Sequence, residues 1–151
     1  MNISLLADNQ NEAVAIAKWY FDEWDHRDPN ATLESVTEKV LSGANRKDIP
    51  ITFVAHINGE LVGAGDLKYC EIPAFSNYSY WVDGIYVDPA HRGKGISTAL
   101  IEFAKAKAVE LNRLPVYLRC EQHLVELYKA HSFDVVEIAQ DKTIMVFNPS
   151  S

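Results

Sequence analysis

Apolar and polar positions along this chain switch between two rhythms, and the switches mark the elements. Ile3 to Ala7 is a short apolar run that stops at Asp8-Asn9-Gln10-Asn11, which predicts a first strand followed by a helix-capping cluster. From Glu12 to Trp24 the apolar residues Val14, Ala17, Phe21 and Trp24, flanked by Ile16 and Tyr20, recur at helical spacing and predict an amphipathic helix. An acidic, aromatic segment ends at Pro29. A shorter helix from about Ala31 to Leu41, with Leu33, Val36 and Val40 on one face, then runs out into the polar loop Ser42 to Asp48. Ile51 to Ile57 and Leu61 to Tyr69 are strand-like runs separated by Asn58-Gly59. That pair predicts a tight hairpin, because a type I′ turn needs positive φ at both central residues.

A connecting loop over residues 70 to 77 precedes an aromatic, β-rich run from Tyr78 to Val87. Asp83-Gly84 inside it permits two readings: a second hairpin with a three-residue second arm, or one strand bulged at Gly84. A three-residue arm is short for a strand, so the single bulged strand is preferred. After Asp88-Pro89 and a glycine-rich turn, Ile96, Leu100, Phe103, Ala104, Ala108 and Leu111 form the apolar stripe of a long helix, with Lys105, Lys107 and Glu110 expected to point outward. Leu114 to Cys120 predicts a strand, Gln122 to Ala130 a helix, and Phe133 to Ile138 and Thr143 to Phe147 two strands about a turn at Gln140-Asp141. The order predicts a three-layer α/β/α arrangement: a mixed, mostly antiparallel central sheet of about seven strands with about four helices, in a single domain over 1–151.

Composition narrows the function classes. With 48% hydrophobic residues in 151, the chain can bury a substantial core. A formal net charge of −7 argues against a nucleic-acid partner, which needs a basic face. No apolar run approaches the ~18 residues of a membrane span and no secretory leader is recognisable, so no membrane partner and a cytoplasmic location are expected. Cys70 and Cys120 stand alone, without a Cys-x-x-Cys, and Cys120 is read as a small buried hydrophobe. His26, His56, His91, His123 and His131 have no metal-ligand spacing, so no metal is expected.

The chemistry concentrates in Val82 to Leu100. A strand gives way to Arg92-Gly93-Lys94-Gly95 and then to a helix start. The first helical turn offers backbone N–H groups with no intrahelical partner at the positive end of the macrodipole, which suits a phosphate. Neither standard nucleotide fingerprint fits. The mononucleotide loop requires Ser or Thr directly after Gly-Lys, where Gly95 stands, and the dinucleotide pattern requires a third glycine, where Thr98 stands.

Val87-Asp88-Pro89 followed by Arg92-Gly93-Lys94-Gly95-Ile96-Ser97 resembles the acyl-CoA-binding turn of the GNAT superfamily of N-acyltransferases, with Ser97 where Gly or Ala is usual. The predicted element order is similar to that family's over nearly the whole chain. A second landmark, strand then Asn-x-x-Ala-x-x-x-Tyr then Gly-Phe, is kept at Tyr128 and Phe133 but replaced at Glu121, Leu124 and Ser132. The resemblance implies acetyl transfer from acetyl-CoA to a primary amine. It implies backbone contacts to the cofactor from Ile85, Tyr86 and Val87 and from Arg92, Gly93, Lys94, Gly95, Ile96, Ser97 and Thr98. It also implies Asp83 as base, where relatives carry a glutamate, and Tyr128 serving the leaving thiolate, with a lowered pKa or as a hydrogen-bond donor. Arg119 and Lys129 join Arg92 and Lys94 as candidates for the 3′-phosphate. Acceptor choice is expected to lie in the first two helices, where Trp19, Tyr20 and Trp24 accompany Asp22, Glu23, Asp25 and Asp28 and suit a cationic amine. A homodimer is possible on the same resemblance, and a non-catalytic CoA-binding or sensor domain is the alternative function.

Overall fold

The structure, a computed structural model, describes residues 1–149. One sheet runs through the molecule in the order β1-β2-β3-β4-β5-β7-β6: β1 (Asn2–Leu5), β2 (Ile51–Ile57), β3 (Glu60–Tyr69), β4 (Tyr80–Val87), β5 (Val116–Glu121), β6 (Asp134–Ala139) and β7 (Lys142–Phe147). Every neighbouring pair is antiparallel except β4 with β5. The helices are α1 (Ala13–Glu23), α2 (Leu33–Leu41), α3 (Ile96–Glu110) and α4 (Val125–Lys129), so the expected mixed seven-stranded sheet with four helices is what forms.

Burial on both faces explains why β2 reads as a continuous apolar run rather than an alternation. Ile51, Phe53 and Ala55 pack into the larger core with Ile96, Leu100 and Ala104 of α3, while Val54 packs with Ile16, Ala17, Val36 and Val40 of α1 and α2. Thr52 therefore points to the α1/α2 side. The β2–β3 hairpin turns at Asn58 and Gly59, both at positive φ as expected. Residues 80–87 form one strand, the preferred of the two readings. Gly84 sits at φ +62, and the register against β3 slips between Ala64 and Asp66. A Cβ on Gly84 would meet Asp66 Oδ2 at 2.6 Å, so the bulge admits only glycine without displacement.

Four expectations are corrected. The buried face of α1 is Ala13, Ile16, Ala17 and Tyr20, with Val14 56% exposed, because the sheet is met one position round from the stripe of bulkier residues. Leu33 is 40% exposed, leaving Val36 and Val40 as the contact of α2. Lys105 and Lys107 do not point away: their ammonium groups lie 4.7 Å from the Phe147 ring and 5.7 Å from the Phe103 ring, and Lys105 Nζ donates to His131 O at 2.6 Å. Long aliphatic stems lie along apolar surface even when their heads are charged. The helix predicted over 122–130 winds its first turn, Gln122–Leu124, as a tighter 3₁₀ turn before α4.

Candidate active site

The organising feature is a failure of pairing. β4 and β5 run in parallel register only at Tyr80↔Val116 and Trp81↔Tyr117, and beyond Trp81 the two strands have no further paired residues. From Val82 to Val87 that edge of β4 is open. The Asp88 amide donates to Val62 O at 2.8 Å. Successive residues of an antiparallel ladder face opposite sides, so the amide and carbonyl of Val87 face the opened side. The Val87 carbonyl accepts from Arg92 Nε at 3.0 Å, and the guanidinium carbon lies 5.5 Å from the centre of the Tyr86 ring. Arg92 thus ties the glycine turn to the end of β4. Gly93 and Gly95 have φ of +81 and +79, and a Cβ on either would meet nothing within 4 Å among the described residues. Conformation alone, not crowding, requires glycine there. Gly95 is the N-cap of α3 and no side chain among the described residues caps the helix, which leaves its first-turn amides available to a ligand.

A cavity of about 660 Å³ lies at the split and takes its lining from both layers. On the α3/α4 side are Ile101, Leu124 and Tyr128; on the α1/α2 side are Tyr20, Trp24 and Val36. Asp83, Gly84, Ile85 and Tyr128 line it, so the sequence-predicted catalytic pair shares one space. Tyr86, Val87 and the turn 92–98 lie outside its lining. Of the predicted acceptor set, Tyr20, Glu23, Trp24 and Asp25 reach the cavity, whereas Trp19 stacks on Tyr86 with ring centres 5.1 Å apart. Arg119 lines this cavity too, and its charge acts on Asp83.

Strand register adds a residue that the motif reading missed. Thr52 pairs with Asp66, and Asp66 pairs with Asp83, so the three side chains form one cross-strand row on the α1/α2 face. Two carboxylates directly opposite repel each other, and their surroundings resolve the conflict by separating them. Asp83 forms an ion pair with Lys68 Nζ at 2.8 Å. Burial works to raise the Asp83 carboxyl, but Lys68, the Gly84 amide and Arg119 outweigh it and hold it below the ordinary carboxylate range. Asp66 is pushed up to about 6, first by burial and further by the Asp83 charge, against the lowering influence of the Thr52 hydroxyl, which donates to it at 2.6 Å, and of Lys68. The sequence did carry a signal: Asp66 interrupts the apolar run Leu61 to Leu67. Tyr20 donates its hydroxyl to Gly84 O at 2.8 Å and pins the bulge beside this row. Burial and the adjacent carboxylates raise its own pKa far above the ordinary phenol, so it stays a donor.

Tyr128 packs edge-on against Phe133, ring centres 6.0 Å apart, and its hydroxyl takes no hydrogen-bond partner among the described residues. Burial, then the neighbouring Cys120, raises its pKa, which leaves hydrogen-bond donation, rather than a lowered pKa, as its chemistry. Cys120 is 6% exposed, with its thiol 3.8 Å from Met145 Sδ and its pKa raised by burial, in keeping with a packing role. Ser132 has φ +71. No helix among the described residues is long and apolar enough to cross a membrane.

Comparison with known proteins agrees with this architecture. The curated proteins contain no significant sequence match. Among solved structures, a ribosomal-protein-alanine N-acetyltransferase from Brucella melitensis is 17% identical, with 97% of this chain and 98% of that chain covered and a TM-score of 0.72. The yncA protein of Salmonella typhimurium, solved with its cofactor acetyl-CoA, is 17% identical over 98% of this chain and 94% of that one, also with a TM-score of 0.72. An aminoglycoside 6′-N-acetyltransferase complexed with coenzyme A is 16% identical over 97% and 96%, with a TM-score of 0.71. At these identities the likeness is one of fold. The model of the acetyltransferase (GNAT) family matches residues 13–133, the span from α1 to the residue before β6, and the chain therefore belongs to the GNAT acetyltransferase family.

Proposed function

We propose that this protein transfers the acetyl group of acetyl-CoA to a primary amine, with Asp66 as the proton acceptor and Tyr128 as the hydrogen-bond donor to the departing thiolate. The observation that carries the reading is the split between β4 and β5, which opens onto a cavity holding two carboxylates of separated acidity on one side and an unpartnered phenol on the other. Acetyl-CoA supplies, when bound, an acetyl group activated as a thioester.

The residues present fit that co-substrate. The amides of the uncapped first turn of α3, with Gly93 and Gly95, suit a pyrophosphate. The open edge at Ile85, Tyr86 and Val87 suits a peptide-like chain, and the outward Val87 amide suits a polarised carbonyl oxygen. Lys94 and the side chains of Ser97 and Thr98 border the same turn.

An acceptor amine of pKa ~10.4 arrives protonated at neutral pH. Asp83, held anionic by Lys68, suits the binding of that ammonium group. Asp66 beside it is the better base. Taking a proton from ~10.4 to an ordinary carboxylate at ~3.9 is uphill by ~9 kcal/mol, and to a group at about 6 by ~6 kcal/mol. Paired groups driven apart in acidity are how acid and base roles are divided. Tyr128, protonated and lining the same cavity, is suited to donate its O–H to the negative charge that develops on sulfur.

The test is direct. Incubation with acetyl-CoA and a panel of amines, following free thiol, should show amine-dependent thiol release. Tight CoA binding with no release on any amine would favour the non-catalytic reading instead.

A further inference from the structure

We infer that the acceptor is an amine carrying its own anionic group, most simply an amino acid with a free carboxylate, rather than a polycation. This rests on the acetyltransferase reading of the same cavity. Charge of both signs surrounds the α1/α2 side of the cavity, whose lining includes six carboxylates and five cationic side chains. Most of them neutralise one another. Lys68 bridges Asp83 at 2.8 Å and Glu71 at 3.4 Å, Lys39 reaches Glu71 at 3.4 Å, and Lys142 reaches Glu121 at 3.5 Å.

What remains without an ion pair among the described residues is Glu23, Asp25 and Asp66 on one side of the ledger and two guanidinium groups, Arg27 and Arg119, on the other. A polyamine or aminoglycoside brings several ammonium groups and needs a cavity of one sign. Here three unpaired carboxylates would attract it, but the two guanidinium groups among them would be left without an anion and would repel its further ammonium groups.

Position sharpens the point. Leu118 and Cys120 face the α3 core, so Arg119 between them faces the α1/α2 side, as Asp66 and Asp83 do. It stands on β5, across the split from Asp83, near enough for its charge to lower that carboxyl. An ammonium group at the Asp83–Asp66 row and a carboxylate on Arg119 would therefore belong to one small zwitterion. Guanidinium is the side chain whose fork matches a carboxylate in two parallel hydrogen bonds.

Matched acceptors decide this: lysine against cadaverine and phenylalanine against phenethylamine, with spermidine and kanamycin as polycations. Each is measured for thiol release from acetyl-CoA and, separately, for binding to the CoA-saturated protein by calorimetry. In each pair the carboxylated member is expected to be favoured about tenfold or more, both in kcat/KM and in Kd. Arg119→Gln should bring that ratio to within about threefold, and Arg119→Glu should reverse it. Arg119 is solvent-exposed, so neither change threatens the core, and Arg27→Gln serves as the parallel variant. Preference for the decarboxylated amines or for spermidine or kanamycin, or a ratio indifferent to both arginine variants, would overturn the inference. If no amine releases thiol while CoA binds, the transferase reading fails, and the calorimetric ratios still decide the charge preference.

Discussion

Replacing Asp66 by Asn separates the cost of the candidate base from its use. The native carboxyl holds its proton up to about 6 against an ordinary value of 3.8. Between those two values the folded state binds more protons than the unfolded one, so stability falls as pH rises through that window and stays reduced above it. A displacement of about two pH units corresponds to ~3 kcal/mol, which Asn, resembling the protonated acid and still able to accept from Thr52, would restore. At ~2–4 °C per kcal/mol for a chain of this length the ceiling is roughly 6–12 °C. Scanning calorimetry should show Asp66→Asn melting at least about 4 °C higher than wild type at pH 7.5, the gain shrinking to within about 2 °C at pH 4. Activity should move the other way. Without a base the enzyme must find its acceptor already neutral, about one molecule in 800 at pH 7.5 for a pKa of ~10.4, so turnover should fall ~10²–10³-fold. The pH profile changes shape as well: wild type rises to a plateau above about pH 6, whereas Asp66→Asn should climb tenfold per pH unit toward the acceptor's own pKa. A variant that keeps the plateau and its inflection near 6, or that melts no higher than wild type at pH 7.5, would refute the assignment.

Asp83→Asn should weaken acceptor binding and move the wild-type inflection to lower pH, because it removes the like charge that raises Asp66 and frees Lys68 to act on it; an upward move in steady-state profiles would contradict the row geometry. Tyr128→Phe should lower turnover about 10²-fold with CoA affinity by calorimetry little changed, since the ring stays packed on Phe133; unchanged turnover would remove the hydroxyl from the mechanism. Gly95→Val should abolish CoA binding while circular dichroism stays native, because left-handed backbone costs a side chain ~1–2 kcal/mol but nothing crowds the position; retained affinity would count against the turn as the phosphate site. Ser132→Gly should raise stability by about 0.5–1 kcal/mol in urea denaturation by relieving φ +71, and a loss would show that the Ser132 side chain offsets its strained backbone.

Periodicity along the chain by itself determined the elements, because a two-residue repeat and a 3.6-residue repeat commit apolar residues to one face before any partner is known. The same held for the turn. Gly93 and Gly95 announce positive φ, and the structure places them there at the start of α3. Burial of the lysine stems on α3 was not legible, since Phe147 and Phe103 reach Lys105 and Lys107 only after folding. Nor was the Thr52–Asp66–Asp83 row, because register between strands is set by the hairpin and by the bulge at Gly84, not by distance along the sequence. Asp83 and Asp66 are the same residue type on neighbouring strands. Only the tertiary structure, by pairing Lys68 with Asp83 and letting burial prevail at Asp66, decided which carboxyl stays anionic and which takes up a proton first as pH falls toward about 6.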